Sequence, residues 1–350
     1  MIYKKITDIN SIITHLNNLY NKIFNRSRTI PQAVWEFREN PFLHGANYIL
    51  LDKENKNIVG HWGFIPNQFI YKNSIINSGK IENSMILPDY RGKGIYKDFE
   101  KYCLNDMKNN NLFLWSISTE KAIQLRLKLG YTYVGQFKEY QQVLLSYNNI
   151  SLKNIYILFN FFYHELQNPI KAINNIFNRL RNFLTDIPTK ISVKSVEFVN
   201  ILNMINKIRT YNVSTMYRDM KYFEWRFKDN PNIKYDYLQS EDKLFYAIIS
   251  NNNKFAYIHD MGFIKKNYFD IPPIKYLDAL EIYFSKKKYK KIHIKTMKNT
   301  LLADLLVNKG YFISKKIFNS NSGCMIFKYN NLKFNFQNWY FTNIFSEGIK

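Results

Sequence analysis

Helix-spaced and alternating apolar positions follow one another in mixed order along the first part of the chain. Helical spacing predicts α-helices, and apolar–polar alternation or short apolar runs predict β-strands. In chain order, the predicted elements are helices over 7–24 and 31–39, strands over 46–52, 58–71 and 79–87, a helix over 93–108, a strand over 112–118, a helix over 119–129, and strands beyond Tyr131. This order predicts an α/β fold, a twisted mixed sheet with helices on both faces.

The chain contains an internal repeat. WEFRENP at 35–41 and WRFKDNP at 225–231 share the pattern W-x-F-x-acid-N-P, and a strand-like aromatic stretch follows each copy. Later in each half, an amphipathic helix runs into KLGYTYV at 128–134 or NKGYFIS at 308–314. Two elements that recur in the same order and at nearly the same separation indicate a duplication.

Residues 151–215 differ from the two halves that they separate. They hold few glycines or β-branched runs, and apolar residues recur at helical spacing. We therefore predict an N-terminal domain over 1–150, a helical connector over 151–215 and a second, similar domain over 216–350.

The balance of charges is strongly basic, with a formal net charge of +23. Such a chain suits nucleic acid, an anionic membrane surface or anionic small substrates. No nucleic-acid-binding motif accompanies the charge, and Lys and Asn are abundant along the whole chain. We therefore expect no nucleic-acid partner.

Few signals point to metal, secretion or membrane insertion. Cys103 and Cys324 stand at unrelated positions, without the spacing of a disulfide framework or a metal site. The first residues lack the apolar core of a signal peptide, and the longest apolar run, IYILFNFF at 155–162, is much shorter than a bilayer span. We expect a cytoplasmic monomer or homodimer with no membrane span and no metal.

The stretch LPDYRGKGIYKDF at 87–99 places two glycines directly after Arg91, between a predicted strand and a predicted helix. Glycine permits a tight turn and a close approach of backbone to another group. Free N–H groups at a helix N-terminus, together with the positive end of the helix dipole, bind anions. The pattern predicts an anion site built from Arg91 and the backbone amides of residues 92–96.

YRGKGI, after a strand and before a helix, resembles the acetyl-coenzyme A signature of the GNAT N-acetyltransferases, Arg/Gln-x-x-Gly-x-Gly/Ala. TEKAIQLRLKLGY at 119–131 is similar to that family's second signature, Asn-x-x-Ala-x-x-Leu-Tyr-x-x-x-Gly-Phe, in the family's order and separation. Three positions depart from the signatures. Tyr96 replaces the last Gly/Ala, Thr119 replaces the asparagine, and Arg126 replaces a tyrosine that protonates the departing thiolate.

The resemblance implies two tandem GNAT-like (acyl-CoA N-acyltransferase) mixed-sheet domains, with acetyl-CoA as co-substrate of the first. The second repeat has DIPPIKYLDAL at 270–280 in place of the glycine turn, and its two prolines offer no backbone N–H. On the first domain, the resemblance assigns the pantetheine arm to backbone groups near the strand end and the pyrophosphate to the turn. The implied cofactor residues are Met85, Ile86, Leu87, Arg91, Gly92, Lys93, Gly94, Ile95, Tyr96 and Thr119.

Attack of an amine on a thioester needs a neutral amine, so a base or a base-linked water is useful. Glu82, in GKIENSMIL, is the only acid on its strand, and alternation places it on the face of Ser84 and Ile86, opposite Asn83. Glu82 is either the base or a solvent-facing glutamate. Asn83 or Ser84 could instead hold a water.

Four further residues are candidate contacts for the acceptor substrate. His61 lies on the preceding strand, Trp62 and Trp115 could stack on a nucleotide base, and Arg226 could bind phosphates in a cleft between the halves. Each residue also has a structural interpretation. These are a buried histidine, two core tryptophans and an arginine that packs beside Trp225.

Tandem chains with this W-x-F-x-x-N-P pattern resemble the enzymes that acetylate nucleotide-linked amino sugars for bacterial surface polysaccharides. We therefore expect such an acceptor, with a dTDP-3-amino-3,6-dideoxyhexose as the first candidate. Two alternatives stay open. One is an aminoacyl-tRNA-dependent transferase of the peptidoglycan-bridge type, which is also a tandem GNAT fold but usually lacks an intact glycine signature. The other is a non-enzymatic basic binding protein.

Overall fold

The computed structural model describes residues 1–42, 46–108, 113–144, 191–252, 254–314, 322–329 and 333–342. Within these ranges the strands form one continuous mixed sheet. They are β1 (Ile2–Ile6), β2 (Ala46–Leu51), β3 (Ile58–Tyr71), β4 (Ser74–Ile86), β5 (Phe113–Ser118), β6 (Thr132–Val143), β7 (Val193–Val196), β8 (Thr210–Tyr211), β9 (Thr215–Met216), β10 (Asp236–Ser240), β11 (Phe245–Asn252), β12 (Phe255–Lys265), β13 (Tyr268–Asp270), β14 (Lys291–Met297), β15 (Phe312–Ile313) and β16 (Gly323–Lys328).

Helices pack against this sheet. They are α1 (Ile13–Phe24), α2 (Ile30–Phe37), α3 (Ile95–Met107), α4 (Glu120–Leu127), α5 (Phe198–Ile205), α6 (Met220–Phe223), α7 (Ile274–Lys286) and α8 (Leu301–Asn308), and a π-helical turn (Glu224–Lys228) continues α6. The predicted mixed α/β architecture is confirmed. Within the described ranges, no helix is long and apolar enough to cross a membrane.

The two half-sheets exchange strands at the centre of the molecule. The order is β1-β2-β3-β4-β5-β16-β6-β14-β12-β11-β10-β7, so β16, the last strand within the described ranges, lies between β5 and β6. β6 pairs with β16 along its first part and with β14 along residues 137–143. Each half therefore supplies a strand to the sheet of the other half.

The part of the predicted connector that the structure describes, residues 191–215, contains a strand as well as a helix. Residues 151–190 lie outside the described ranges. Within residues 191–215, α5 is a helix, whereas Val193–Val196 is not helical and pairs antiparallel with β10 as an edge strand. Apolar and polar residues alternate from Ile191 to Lys194, a pattern that suits a strand. Pairing with β10, which is distant along the chain, stabilises the extended form.

The two copies of the W-x-F motif contact each other. The indole Nε1–H of Trp35 donates to the main-chain carbonyl of Trp225 at 2.8 Å, and that of Trp225 donates to the carbonyl of Trp35 at 2.9 Å. The rings stack with centroids 4.9 Å apart. Such reciprocal contacts are those of two-fold symmetry. The predicted duplication is thus visible as an approximate two-fold axis between the two rings.

The apolar core reflects the exchange of strands. A smaller cluster beneath α3 contains Phe99, Leu104 and Leu114, together with Met325 from β16. A larger cluster joins the two halves and contains Trp35, Phe113, Trp225 and Tyr246. Burial of apolar area is the main force that holds folded chains together, and here it links the two halves directly.

Candidate active site

The parallel strands β4 and β5 pair over a short distance and then separate. Their ladder consists of Ser78 with Phe113, Gly79 with Leu114, and Lys80 with Trp115. Beyond these positions β4 continues to Ile86, and no strand of the described chain pairs with this edge of it. We call this gap the first opening. An open strand edge binds extended ligands through its main-chain groups.

The predicted glycine turn lies where β4 passes into α3. Gly92 and Gly94 have φ values of +78° and +75°, and a Cβ at either position would meet no atom within 4 Å. The backbone conformation, rather than close packing, therefore favours glycine here. Within the described ranges, no main-chain carbonyl accepts from the N–H groups of residues 92–96. These five adjacent amides are available to bind an anion.

Basic side chains flank the turn. The exposed Arg91 donates from Nε to the carbonyl of Ile86 at 3.0 Å, and Lys93 donates from Nζ to the carbonyl of Asp89 at 3.0 Å. Arg91 is thus held at the end of β4, beside the free amides. Thr119 is exposed at the N-cap of α4.

A β-bulge interrupts β4 in the middle of the first opening. Asn83 has a φ of +50°, and the register with β3 shifts between His61 and Gly63. His61 holds the bulge, because its Nδ1 lies 3.1 Å from the Asn83 carbonyl and its Nε2 lies 2.9 Å from Oδ1 of Asn47. Burial lowers the pKa of His61 to about 3, so the ring is neutral. The strict alternation assumed for Glu82 and Ser84 therefore does not hold through this strand.

Glu82 is present at the site but is not isolated. Its carboxylate forms an ion pair with the Lys80 ammonium, two residues earlier on the same strand. The Lys80 ammonium also lies over the Trp115 ring, 5.8 Å from its centroid. Any base role for Glu82 would be carried out beside this positive charge.

Sequence reasoning missed an ion pair next to the bulge. Arg28 donates from Nη1 to Oε2 of Glu36 at 3.0 Å, and both side chains are buried. Nδ2 of Asn83 lies 3.4 and 3.5 Å from the two oxygens of Glu36. One signal could have found this pair. Glu36 follows the tryptophan of the first motif copy, where the second copy has Arg226.

Arg126, which replaces the tyrosine of the second signature, is buried and reaches across the first opening. Its Nε donates to Oε1 of Glu100 at 3.0 Å. Its Nη1 donates to the hydroxyls of Ser116 and Ser118 at 2.7 and 2.5 Å, and its Nη2 donates to that of Ser84 at 3.0 Å. The guanidinium therefore bridges β4 and β5 on the side of α3 and α4.

Two tyrosines border this cluster. Tyr131 donates its hydroxyl to Oε1 of Glu100 at 2.7 Å, and the buried Tyr96 hydroxyl neighbours Ser84 without a hydrogen bond of standard geometry. Burial, followed by the Glu100 carboxylate, raises the pKa of both tyrosines well above the usual value. Burial alone would lower the pKa of Arg126, but the Glu100 carboxylate raises it. At neutral pH the tyrosines are protonated and the guanidinium is charged.

Three of the residues predicted to contact the acceptor are buried. His61 holds the bulge as described, and Trp62 is fully buried against Tyr48, with ring centroids 5.5 Å apart. Trp115 is also buried, with its Nε1 3.4 Å from Oδ1 of Asn67. These rings lie on inner strands of the sheet, where apolar burial takes precedence over ligand stacking.

Arg226, the fourth predicted contact, is buried as well. The side chain is 4% exposed and lies over the Trp35 ring, 5.7 Å from its centroid. A cavity of about 370 Å³ between the motif copies is lined by Arg38, Glu39 and Asp229, among others. Its mixed charge does not match the basic, phosphate-binding cleft that we predicted.

In the second half, two parallel strands separate in the same way, but another segment of the chain occupies the gap between them. β12 and β14 pair over Phe255–Ile258 and Lys291–Ile294 and then separate. β11 pairs with one edge of β12. β13 pairs with Phe263–Lys265 of β12 and therefore lies on its other edge, beyond the end of the ladder with β14. A Cβ added at Gly262 would overlap the rings of Phe269 and Tyr246. The chain itself therefore occupies this second opening.

No metal centre is visible in the part of the chain that the structure describes. There, no three His, Cys, Asp or Glu side chains come close enough to hold an ion.

Comparisons with known proteins agree with this geometry. The model of the acetyltransferase (GNAT) family matches residues 11–131. Among solved structures, the chain is similar to a GCN5-related N-acetyltransferase from Anabaena variabilis, with a TM-score of 0.62 and 11% identity over 94% of this chain and 73% of that one. A protein of unknown function from Enterococcus faecalis, a probable N-acyltransferase, has a TM-score of 0.61 and 13% identity over 93% and 71% of the two chains.

A tandem GNAT protein from the clavulanic acid biosynthesis pathway is also similar. It has a TM-score of 0.54 and 7% identity over 95% of this chain and 100% of that one. A search of curated protein sequences finds no significant match. At these identities the solved structures show the fold, and the family model covers the half that carries the first opening. Residues 11–131 therefore match the acetyltransferase (GNAT) family model, and the overall fold of the chain is GNAT-like.

Proposed function

We propose that this protein is an N-acetyltransferase that moves the acetyl group of acetyl-CoA to the amino group of a nucleotide-linked amino sugar, in the synthesis of a surface polysaccharide. The observation that carries the proposal is the first opening, which ends at five free backbone amides. The equivalent opening of the second half is filled by β13. One half therefore has a site for an extended, anionic thioester.

The residues at the first opening fit acetyl-CoA part by part. The pyrophosphate would accept hydrogen bonds from the amides of residues 92–96 and from the guanidinium of Arg91. The pantetheine arm would run along the free edge of β4, beside Met85, Ile86 and Leu87. Thr119, at the N-terminus of α4, lies on the facing side of the opening.

The reaction forms one bond and breaks another. The amine nitrogen of the acceptor attacks the thioester carbonyl carbon, and the carbon–sulfur bond then breaks, with its electron pair going to sulfur. The amine must give up its proton, and Glu82 or a water held near Asn83 would accept it. Arg126 keeps its proton at any physiological pH, so it does not act as the acid that the family's tyrosine supplies.

The acceptor class rests on the tandem arrangement and the basic charge of the chain. Nucleotide-linked sugars are anions, and a net charge of +23 would raise their local concentration. Our first candidate is a dTDP-3-amino-3,6-dideoxyhexose. The intact glycine turn favours acetyl-CoA over charged tRNA as the acyl donor.

Release of free thiol tests the proposal. The purified protein would be incubated with acetyl-CoA and a panel of dTDP-, UDP- and GDP-linked amino sugars, polyamines and peptides, with non-amino sugars as the matched control. We expect thiol release with at least one amino sugar and none with its hydroxyl analogue. Release only with polyamines or peptides would exclude the acceptor class. Failure to bind acetyl-CoA at all, with acyl transfer from aminoacyl-tRNA instead, would exclude the acetyltransferase itself.

A further inference from the structure

Ser84 occupies a distinctive place on the edge of the first opening. It follows the Asn83 bulge and precedes Leu87, the first residue after the strand, by three residues, which is about 10 Å of extended chain. Its side chain is partly exposed, whereas Ser116 and Ser118 on the facing strand are buried. An extended arm that starts at the glycine turn and follows β4 inward brings its far end to Ser84.

The hydroxyl of Ser84 is polarised by Arg126. Nη2 of the guanidinium donates to Ser84 Oγ at 3.0 Å, which occupies a lone pair of the oxygen and leaves its one proton for another acceptor. Ser116 and Ser118 also accept from Arg126, but they lie 2.9 Å apart and hydrogen-bond to each other. Ser84 is the member of this trio whose hydroxyl lies at the open edge.

The orientation of the buried ion pair adds to this effect. Glu100 contacts the guanidinium at Nε, behind it, and the two Nη atoms face the strands. Both charged side chains are buried, so their field is weakly screened by solvent. The positive end of the pair therefore points at the opening, where it favours a negative atom.

We propose that Ser84 donates a hydrogen bond to the sulfur of coenzyme A and stabilises the thiolate as it leaves, and that Arg126 is the positioning residue that prepares Ser84 for this role. The proposal rests on the proposed function. As the carbon–sulfur bond breaks, its electron pair goes to sulfur, and Ser84 keeps its proton. The thiolate is thus released as an anion and takes its proton later from water.

Two tyrosines, a cysteine and an arginine near Ser84 do not change charge in the range of interest. Tyr96 and Cys103 on α3 and Tyr131 before β6 all have pKa values raised by burial and by Glu100, and the guanidinium of Arg126 stays charged. On β4 itself, Glu82 and Lys80 form their own ion pair. A thiol that titrates near Ser84 would therefore do so beside tyrosine and cysteine side chains that stay protonated and a guanidinium that stays charged.

The ionisation of bound coenzyme A tests the proposal without any acceptor. Thiolate absorbance in the ultraviolet would be followed against pH for coenzyme A in complex with the wild type. We expect the thiol pKa to lie about one unit below that of free coenzyme A. The shift should disappear in Ser84→Ala and persist in Ser116→Ala, a matched control that also loses one hydrogen bond from Arg126.

Arg126 requires two variants, because a buried guanidinium also supports the fold. Arg126→Lys keeps the charge and should retain part of the shift, and Arg126→Met should abolish it. With an acceptor, Ser84→Ala should lower kcat about tenfold or more at a nearly unchanged KM for acetyl-CoA. Equal effects of Ser84→Ala and Ser116→Ala, or a wild-type complex with no shift, would overturn this inference alone. A wild type that does not bind coenzyme A would overturn the proposed function as well.

Discussion

Glu36 and Arg226 occupy the same position in the two copies of the W-x-F motif, directly after the tryptophans that contact each other, and both are buried. The two-fold axis thus relates an acidic side chain, Glu36, to a basic one, Arg226. Glu36 pairs with Arg28 and approaches the bulge of the first opening, whereas Arg226 lies over Trp35. The two halves share the tryptophan packing at the axis but differ in the charge of the residue beside it. This difference is consistent with a catalytic site in one half only.

Gly94→Ala should weaken coenzyme A binding. A side chain at a φ of +75° costs about 1–2 kcal/mol and would turn the free amides away from the anion. Gly130→Ala is the matched control, because Gly130 has a φ of +89°, a Cβ there fits, and the residue lies outside the turn. Urea unfolding should show similar losses of stability in both variants, and calorimetric titration should show weaker coenzyme A binding in Gly94→Ala only.

Arg91→Ala should raise the KM for acetyl-CoA about tenfold or more, because a charge-assisted hydrogen bond is worth about 1.5–3 kcal/mol. Affinity for the acceptor should change little. Arg209→Ala serves as the control, since Arg209 is an exposed arginine that donates to the main-chain carbonyl of Ile208, far along the chain from the turn. An unchanged KM in Arg91→Ala would remove this residue from the site.

Each chain should bind one molecule of coenzyme A. The second opening is filled by β13, and the turn that follows it has Pro272 and Pro273 in place of the two glycines. Calorimetric titration gives the stoichiometry, and a crystal structure with coenzyme A gives the location. Two equivalents, or a coenzyme bound across the two prolines, would contradict the prediction.

Glu82→Gln should lower kcat by roughly 10²–10⁴-fold if the carboxylate is the base, because the change removes basicity and keeps the shape. Glu54→Gln, at an exposed loop position, is the control. Steady-state kinetics with a saturating acceptor measure the effect. A loss of less than about fivefold would show that water or another group accepts the proton.

Trp35→Phe and Trp225→Phe should each destabilise the fold by about 1–3 kcal/mol through the loss of a buried hydrogen bond, in addition to the loss of ring area. Trp62→Phe is the matched control. Trp62 is equally buried, but within the described chain its indole N–H has no partner. Urea unfolding should therefore rank Trp62→Phe as the mildest of the three, and an equal cost would mean that the reciprocal bonds add nothing.

Local features of the first half were predictable from sequence. The helix predicted over 93–108 is α3 (Ile95–Met107), and the strand predicted over 58–71 is β3 (Ile58–Tyr71), because periodicity and glycine positions are local signals. The glycine turn likewise has the expected conformation.

Features that depend on distant contacts were not predictable. The bulge at Asn83 changes which side chains of β4 share a face, and it is held by a histidine on another strand. The ion pair of Arg28 with Glu36, and the bridge of Arg126 to Ser84, join residues whose proximity only the tertiary fold creates. The burial of Trp62 and Arg226 follows from the same packing.

The exchange of β16 and β6 has a consequence for biosynthesis. β5 ends at Ser118 and its neighbour β16 begins at Gly323, so more than 200 residues must be translated before the edge of β5 is covered. During that interval the nascent chain presents a bare strand edge, which is a template for wrong pairing. We expect the yield of folded protein to depend on how long the edge of β5 stays unpaired during synthesis. Slow translation of the second half should therefore favour aggregation.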